Sequence, residues 1–382
     1  MSPADTIGSP SPKKLLSLDG GGIRGLVTVE VLAEIERQLR EKHGKPDLVL
    51  ADYFDYVAGT STGAIIATCV SLGMTVEDIR TFYVESGREM FDKASLFKRL
   101  HYTYEDEPIA RKLKQVLGAD TTLGSERLKT LLMMVLRNVT TDSPWPLSNN
   151  PRAKYNDRSR ADCNLNMPLW QLIRASTAAP VYFPPEVVTL GSDEDAYDFV
   201  FVDGGITPYN NPAFLLFLMA TVKAYRLEWP TGVDQMLLVS IGTGAAPRAD
   251  EDLHPSQLHI LNNAKSLPGA LMYGASTQQD TLCRIFGHCK AGGHLDREIG
   301  TLMGAGGTIQ GTSALGSSKH FTYVRYNAEL TSKGLEALGV PDIDPSDIQK
   351  LDSVDHMDAL QRVGKAVGQQ QVQPSHFDGF TA

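Results

Sequence analysis

The chain has 382 residues, 42% hydrophobic and 21% charged, a balance that fits a folded globular protein and excludes a disordered one. Its net charge of −9 excludes a general nucleic-acid binder, which needs clustered Lys and Arg, and leaves only weak attraction to anionic membranes away from any local basic patch. The four cysteines, Cys69, Cys163, Cys283 and Cys289, form no CxxC pair and no metal pattern, and read as buried or incidental thiols in a reducing compartment.

Taken in chain order, residues 1–12 are Ser- and Pro-rich and read as a disordered segment. The leading "MSPADTIGSPSPKK" has no apolar h-region, so no standard signal peptide is expected. "KLLSL" (14–18) is an apolar run ending in glycines, as a buried strand would be. "GLVTVEVLAEIERQLREK" then sets Leu26, Val29, Leu32, Ile35 and Leu39 at helical spacing, with basic residues in the last turn. "YFDYVA" (53–58) is a second strand, and "TGAIIATCVSLG" is apolar nearly all round, which predicts a buried helix ending at Gly73. "TVEDIRTFYVESGREMF" and "EPIARKLKQVLG" predict amphipathic surface helices, while "LKTLLMMVLRNV" fits strand or helix. "MPLWQLIRASTAA" predicts a helix stopped by Pro180, and "AFLLFLMATV" (213–222) is a buried helix too short to span a bilayer. "DFVFVDGG" (198–205) and "DQMLLVSIGTG" (234–244) are again apolar runs ending in glycines.

The recurring order of strand, glycine turn and helix predicts an α/β fold with a largely parallel sheet. Residues 245–320 are poorly periodic and read as long loops with short helices, and "DPSDIQKLDSVDHMDALQRVGKAVGQQ" as a final helical region. With no convincing linker, one domain over 13–365 is expected, its motif-bearing core at about 14–245, followed by a flexible tail over 366–382.

In an open parallel sheet the carboxyl ends of the strands form the ligand-binding edge, so three glycine-marked turns are expected to meet there. The first is "LDGGGIRG" (18–25). Gly20, Gly21 and Gly22 let the backbone approach an anion and aim amides at it, helped by the N-terminus of the following helix. The same residues match GxGxxG (Gly20, Gly22, Gly25), but the second strand leads to a serine turn instead of a ribose-binding acid, which argues against a dinucleotide. The second turn is Gly59-Thr60-Ser61-Thr62-Gly63, a nucleophile-elbow pattern with a strand before it and a buried helix after it. The bland alternative for Ser61 is a helix N-cap. The third turn is Asp203-Gly204-Gly205, where Asp203 is either a base or an Asx-turn aspartate. A serine nucleophile needs a base. Seven histidines follow Asp203, at 254, 259, 288, 294, 320, 356 and 376, and none stands in a recognisable triad context, which leaves a carboxylate acting directly on the serine as the other option.

"DGGGIRG", "GTSTG" and "DGG", in this order, resemble the signature of the patatin-like phospholipase family, and "AAPVYFPP" (178–185) and "VSIGTG" (239–244) are similar to further blocks of it. The resemblance covers roughly residues 14–245. It implies a three-layer fold with a largely parallel sheet between helices. It also implies hydrolysis of acyl esters of phospholipids, lysophospholipids or galactolipids by a Ser–Asp dyad without histidine. By position Ser61 would be the nucleophile, Asp203 the proton acceptor, and the loop of Gly20, Gly21, Gly22, Ile23, Arg24 and Gly25 the oxyanion hole, with the amides around Gly21, Gly22 and Ile23 as donors. Arg24 falls at the family's usual basic position, where it can order that loop. The third motif is DGG here where the family has DGA.

The expected substrate is therefore a membrane or micellar lipid, with no cofactor, no metal and no nucleic acid, in a cytoplasmic protein that can work peripherally at membranes. Protein partners and oligomeric state are left open. Two other readings remain: a general serine esterase or acyltransferase on soluble esters, and a regulatory or effector protein with little turnover. "MFDKASLFKRLHYTYEDEP" (90–108) mixes aromatics with cations and is expected to be a lid or interfacial segment, or else a helix packed on the core.

Overall fold

The apolar runs that end in glycines become neighbouring strands of one sheet. The computed structural model describes residues 3–91, 108–180, 183–191, 193–247, 260–296, 298–303 and 318–381. Strands β1 (Lys13–Leu18), β2 (Tyr56–Thr60) and β7 (Met236–Ile241) are buried at every position, which is why they read as continuous apolar runs. The ambiguous run at 128–139 is strand β3 (Leu131–Asn138). With β8 (Gly287–Ala291) and β9 (Phe321–Tyr326) these strands form a parallel core in the order β3-β2-β1-β7-β9-β8.

Three further strands, β4 (Ser143–Ser148), β5 (Glu186–Leu190) and β6 (Tyr197–Asp203), are antiparallel. β4 takes one edge of β3. On the other edge, β2 pairs with Leu131–Val135 and β6 takes over at Leu136–Asn138. β6 thus runs head-on toward the end of β2: Thr60 pairs with Val135, and Asp203 pairs with Leu136. The expectation that all three glycine turns leave parallel strands is corrected here. Asp203 reaches the shared edge from the opposite direction.

Helices cover both faces. On one lie α2 (Gly25–His43), α3 (Thr62–Ser71), α4 (Val76–Phe91), α6 (Leu169–Ser176) and, near the C-terminus, α11 (Met357–Gln371). They share a core with Leu16, Leu18, Val57 and Leu136 of the sheet. α5 (Pro108–Leu117) lies against α4 and α6. The opposite face, with Leu15, Tyr56, Ala58, Leu238 and Tyr323, is covered by α7 (Ala213–Thr221) and the last turns of α8 (Ile260–Phe286). α2 ends at Gly44 in the left-handed region (φ 62°), whose amide closes on the Arg40 and Glu41 carbonyls. Two short helices, α9 (Ser332–Ala337) and α10 (Pro345–Ile348), precede α11. No helix among the described residues is long and apolar enough to cross a membrane.

Three sequence expectations change. The stretch expected to be loops with short helices holds α8, 27 residues long. Gly269 and Gly274 weaken its helical signature, and burial of Cys283 and Arg284 near its C-terminus supplies what local propensity lacks. The N-terminal segment contains helix α1 (Pro3–Gly8), because Ile7 is buried and the Lys13 ammonium ties down the Thr6 and Ser9 carbonyls at 2.8 Å each. The expected tail is packed: Phe377 and Phe380 are buried, Tyr53 donates to the Phe380 carbonyl (3.0 Å) and Lys14 to that of Thr381 (2.9 Å). Phe377→Ala is therefore expected to cost about 3–5 kcal/mol in urea unfolding, the range for a buried aromatic truncated to a cavity. A loss below about 1 kcal/mol would show that the terminal segment is dispensable. The expected lid segment lies mostly at 92–107, outside the described residues. Phe91, at its start, is buried and stacks on Tyr83 at 6.2 Å.

Candidate active site

The elbow owes its shape to its two glycines. A side chain on Gly59 would collide with the Gly63 carbonyl, and one on Gly63 with the Leu18 carbonyl of β1. The turn is thus pressed between its own helix and the neighbouring strand, and Ser61 is held at φ 54°, ψ −123°, a conformation L residues rarely adopt. Its amide donates to Ser176 Oγ (2.9 Å), and that hydroxyl donates to the Val135 carbonyl (2.7 Å). Thr60 Oγ1 donates to the Tyr209 carbonyl (2.7 Å), and Thr62 Oγ1 shares a 2.5 Å hydrogen bond with the Tyr83 hydroxyl. The partly exposed Ser61 makes no side-chain cap to α3. Its hydroxyl donates instead to Asp203 Oδ2 at 2.7 Å. The N-cap alternative is set aside by this geometry.

Asp203 does two things at once. Oδ1 accepts from the Gly205 amide (2.6 Å), closing the Asx turn foreseen as the bland reading, while Oδ2 is left for Ser61. The side chain at Gly204 is missing for a reason: it would strike the Val135 carbonyl. Burial pushes the Asp203 carboxyl up to about 6, against the lowering pull of the Gly205 and Ser61 hydrogen bonds and the Arg174 charge. Arg174 itself is buried, donates to the Pro184 carbonyl (3.1 Å) and lies over the Phe183 ring at 5.2 Å. Among the described residues no histidine is hydrogen-bonded to either member of the pair; the buried His376 pairs with the Tyr326 hydroxyl instead (2.7 Å).

The glycine loop lies against this elbow. A Cβ on Gly25 would meet Thr62 Oγ1 at 2.5 Å, and one on Gly20 would come within 3.3 Å of the Thr60 carbonyl. The loop's amides are not equivalent. Gly20 donates to the Asn210 carbonyl (3.0 Å), Ile23 to Leu351 (3.0 Å), Arg24 back to Gly21 (3.2 Å) and Gly25 to the Gly22 and Ile23 carbonyls. Among the described residues, only Gly21 and Gly22 of this loop keep amides without a partner. Ile23, expected among the oxyanion donors, is thus already committed to the C-terminal segment. Arg24 joins the same contact, donating to the Gln349 carbonyl at 3.2 Å. Burial draws its guanidinium down to about 10, with the Asp19 charge opposing. Gly22 stands at φ 60°, and a side chain there would run into the Leu351 carbonyl.

Three motif turns thus converge on one serine–aspartate contact. The family model described as Patatin-like phospholipase matches residues 16–217, more than half of the chain. The chain belongs to the patatin-like phospholipase family. Among its relatives, Patatin-2-Kuras 4 of Solanum tuberosum is 31% identical over 250 residues, covering 62% of this chain and 64% of that protein. Patatin group M-3 of the same plant is 30% identical over 250 residues, covering 62% of each. The matched part thus spans less than two thirds of these potato proteins. VipD of Legionella pneumophila aligns over 92% of this chain and 67% of its own at 16% identity, with a TM-score of 0.35.

Several residues around the patatin-like site were not legible as such. Ser176 looks like an ordinary helix-end serine, yet it anchors the elbow amide. Thr243, inside "VSIGTG", donates to the Gly20 carbonyl (2.8 Å) and fills the space a Gly21 side chain would need, which explains that block physically. Leu351 and Gln349, far beyond the family match, close over the loop through backbone carbonyls, and carbonyls carry no sequence signal.

Proposed function

We propose that this chain is a serine lipid acyl hydrolase, cleaving acyl esters of phospholipids, lysophospholipids or galactolipids through Ser61 and Asp203. The observation that carries the reading is the 2.7 Å hydrogen bond from a serine in a strained elbow to a buried carboxylate whose other oxygen is already satisfied. Asp203 takes the hydroxyl proton as Ser61 Oγ attacks the ester carbonyl. The Gly21 and Gly22 amides, the two without partners among the described residues, receive the oxyanion, worth about 3 kcal/mol per well-placed donor. The tetrahedral intermediate collapses, the C–O bond breaks, and the alcohol or lysolipid leaves with the proton from Asp203. Water then gives a proton to Asp203 and attacks the acyl-enzyme. The fatty acid departs as Oγ recovers its proton.

Burial of the carboxyl supports this use of an aspartate. At its ordinary value near 4 it would be a feeble base for a serine hydroxyl, and raising it toward 6 strengthens it while leaving it ionised at neutral pH. The substrate class is tested by mass spectrometry of a natural lipid extract offered as vesicles. Free fatty acid and lysolipid are expected with the wild type and neither with Ser61→Ala. Turnover of short soluble esters without any product from vesicles would replace the lipid reading with a general esterase.

A further inference from the structure

The glycine loop has three consecutive residues without side chains, so its shape must be imposed from outside. One of the groups that imposes it is charged. β1, β7 and β9 lie side by side, with Ser17 paired to Ser240 and Ser240 paired to Arg325. Asp19 stands two residues beyond Ser17, on the same face of the sheet. Arg325 reaches along that face and grips Asp19 with both terminal nitrogens, Nη1 to Oδ1 at 2.8 Å and Nη2 to Oδ2 at 2.5 Å. Nη1 also donates to Ser240 Oγ at 2.8 Å. Both side chains of the pair are about 5% exposed. The contact is a fork-on-carboxylate bond, the geometry that specifies orientation as well as charge. Asp19 is the first residue of "DGGGIRG", and its own amide is fixed to the Ile241 carbonyl (3.0 Å). The next two amides along the loop that have no partner are those of Gly21 and Gly22.

We propose that Arg325 is a positioning residue for hydrolysis: through Asp19 it holds the glycine loop in the shape that keeps the Gly21 and Gly22 amides aimed at the developing oxyanion. This rests on the reading of Ser61 and Asp203 given above. Arg325 lies on β9, more than a hundred residues past the end of the family match, so the motif contains only one half of the pair. Burial presses the Asp19 carboxyl upward and Arg325 presses it back, so without the guanidinium Asp19 would take a proton or turn toward water, and either change loosens the loop at its root.

The test uses Arg325→Lys, which keeps the charge without the fork, and the double variant Asp19→Asn with Arg325→Met, which removes both charges of the pair together and so guards against the misfolding that a single buried charge would cause. With a soluble ester, kcat is expected to fall about a hundredfold in the double variant and less in Arg325→Lys, the scale of a lost oxyanion donor. KM should stay within about threefold, and the rate of fluorophosphonate labelling at Ser61 should fall in step with kcat. A trifluoromethyl ketone, which forms a tetrahedral adduct with the serine, should lose affinity in parallel with kcat/KM, while a non-reactive substrate analogue binds as before. A merely structural role would not separate these two ligands. A double variant with kcat and ketone affinity within about threefold of wild type overturns the proposal, as does equal weakening of both ligands. If the wild type neither labels at Ser61 nor turns over ester, the Ser61 reading falls first and takes this one with it.

Discussion

Ser61→Ala is expected to lower kcat by about a millionfold, the scale seen when a serine nucleophile that acts with a base is removed, and to abolish fluorophosphonate labelling. Alanine is sterically mild at this position, but Ser61 occupies φ 54°, so the backbone strain stays while its hydrogen bond to Asp203 is lost. The fold should survive, because the elbow is held by Gly59, Gly63 and the Ser176 contact to the residue-61 amide, all of which remain. Circular dichroism and the unfolding midpoint check that point. Labelling that persists in a folded variant would assign the nucleophile to another residue.

Asp203→Asn is expected to lower turnover as well, by about a thousandfold or more, because an amide cannot accept the serine proton. The same change should make the protein more stable at neutral pH. The asparagine oxygen can keep the Gly205 bond, and its NH2 can donate to Ser61 Oγ, so both contacts survive with one reversed. What disappears is the cost of a buried charge. With the carboxyl at about 6 in the folded chain and near 4 in the unfolded one, that cost is about 3 kcal/mol. The sign follows from proton binding. Between pH 4 and 6 the folded protein holds a proton that the unfolded chain has released, so wild-type stability falls as pH rises through this window. Below about pH 4 both states are protonated and the cost is absent. The gain of Asp203→Asn should therefore be full above pH 6 and vanish below about pH 4.

Activity runs the opposite way. The wild-type rate should fall below about pH 6 as Asp203 takes up its proton, roughly tenfold by pH 5. Parallel urea titrations at pH 4 and pH 7.5 read the stability arm, and a kcat/KM profile reads the other. A variant that is inactive yet no more stable at pH 7.5 would mean that the buried carboxylate is fully compensated by its neighbours.

The amino-acid sequence by itself determined the parts of this protein that depend on local chemistry. Continuous apolar runs marked β1, β2 and β7 because strands covered on both faces have no polar side to show. Gly59, Gly63, Gly204 and the glycines of the first loop were visible because close backbone approach leaves no other residue type. Ser61 and Asp203 were visible because the turns that carry them are short and stereotyped. The tertiary structure decided what depends on residues far apart in the chain. It brought β6 in antiparallel, head-on to β2, so that Asp203 meets Ser61 across 142 positions. It committed the Ile23 amide to Leu351 and left Gly21 and Gly22 without partners among the described residues, a choice made by backbone carbonyls that no side chain announces. It packed Phe377 and Phe380 into a terminus that composition made look loose. It also joined Asp19 to Arg325, 306 positions away. A buried arginine and a buried aspartate look like surface charges in a sequence, and only the sheet register puts them side by side out of water.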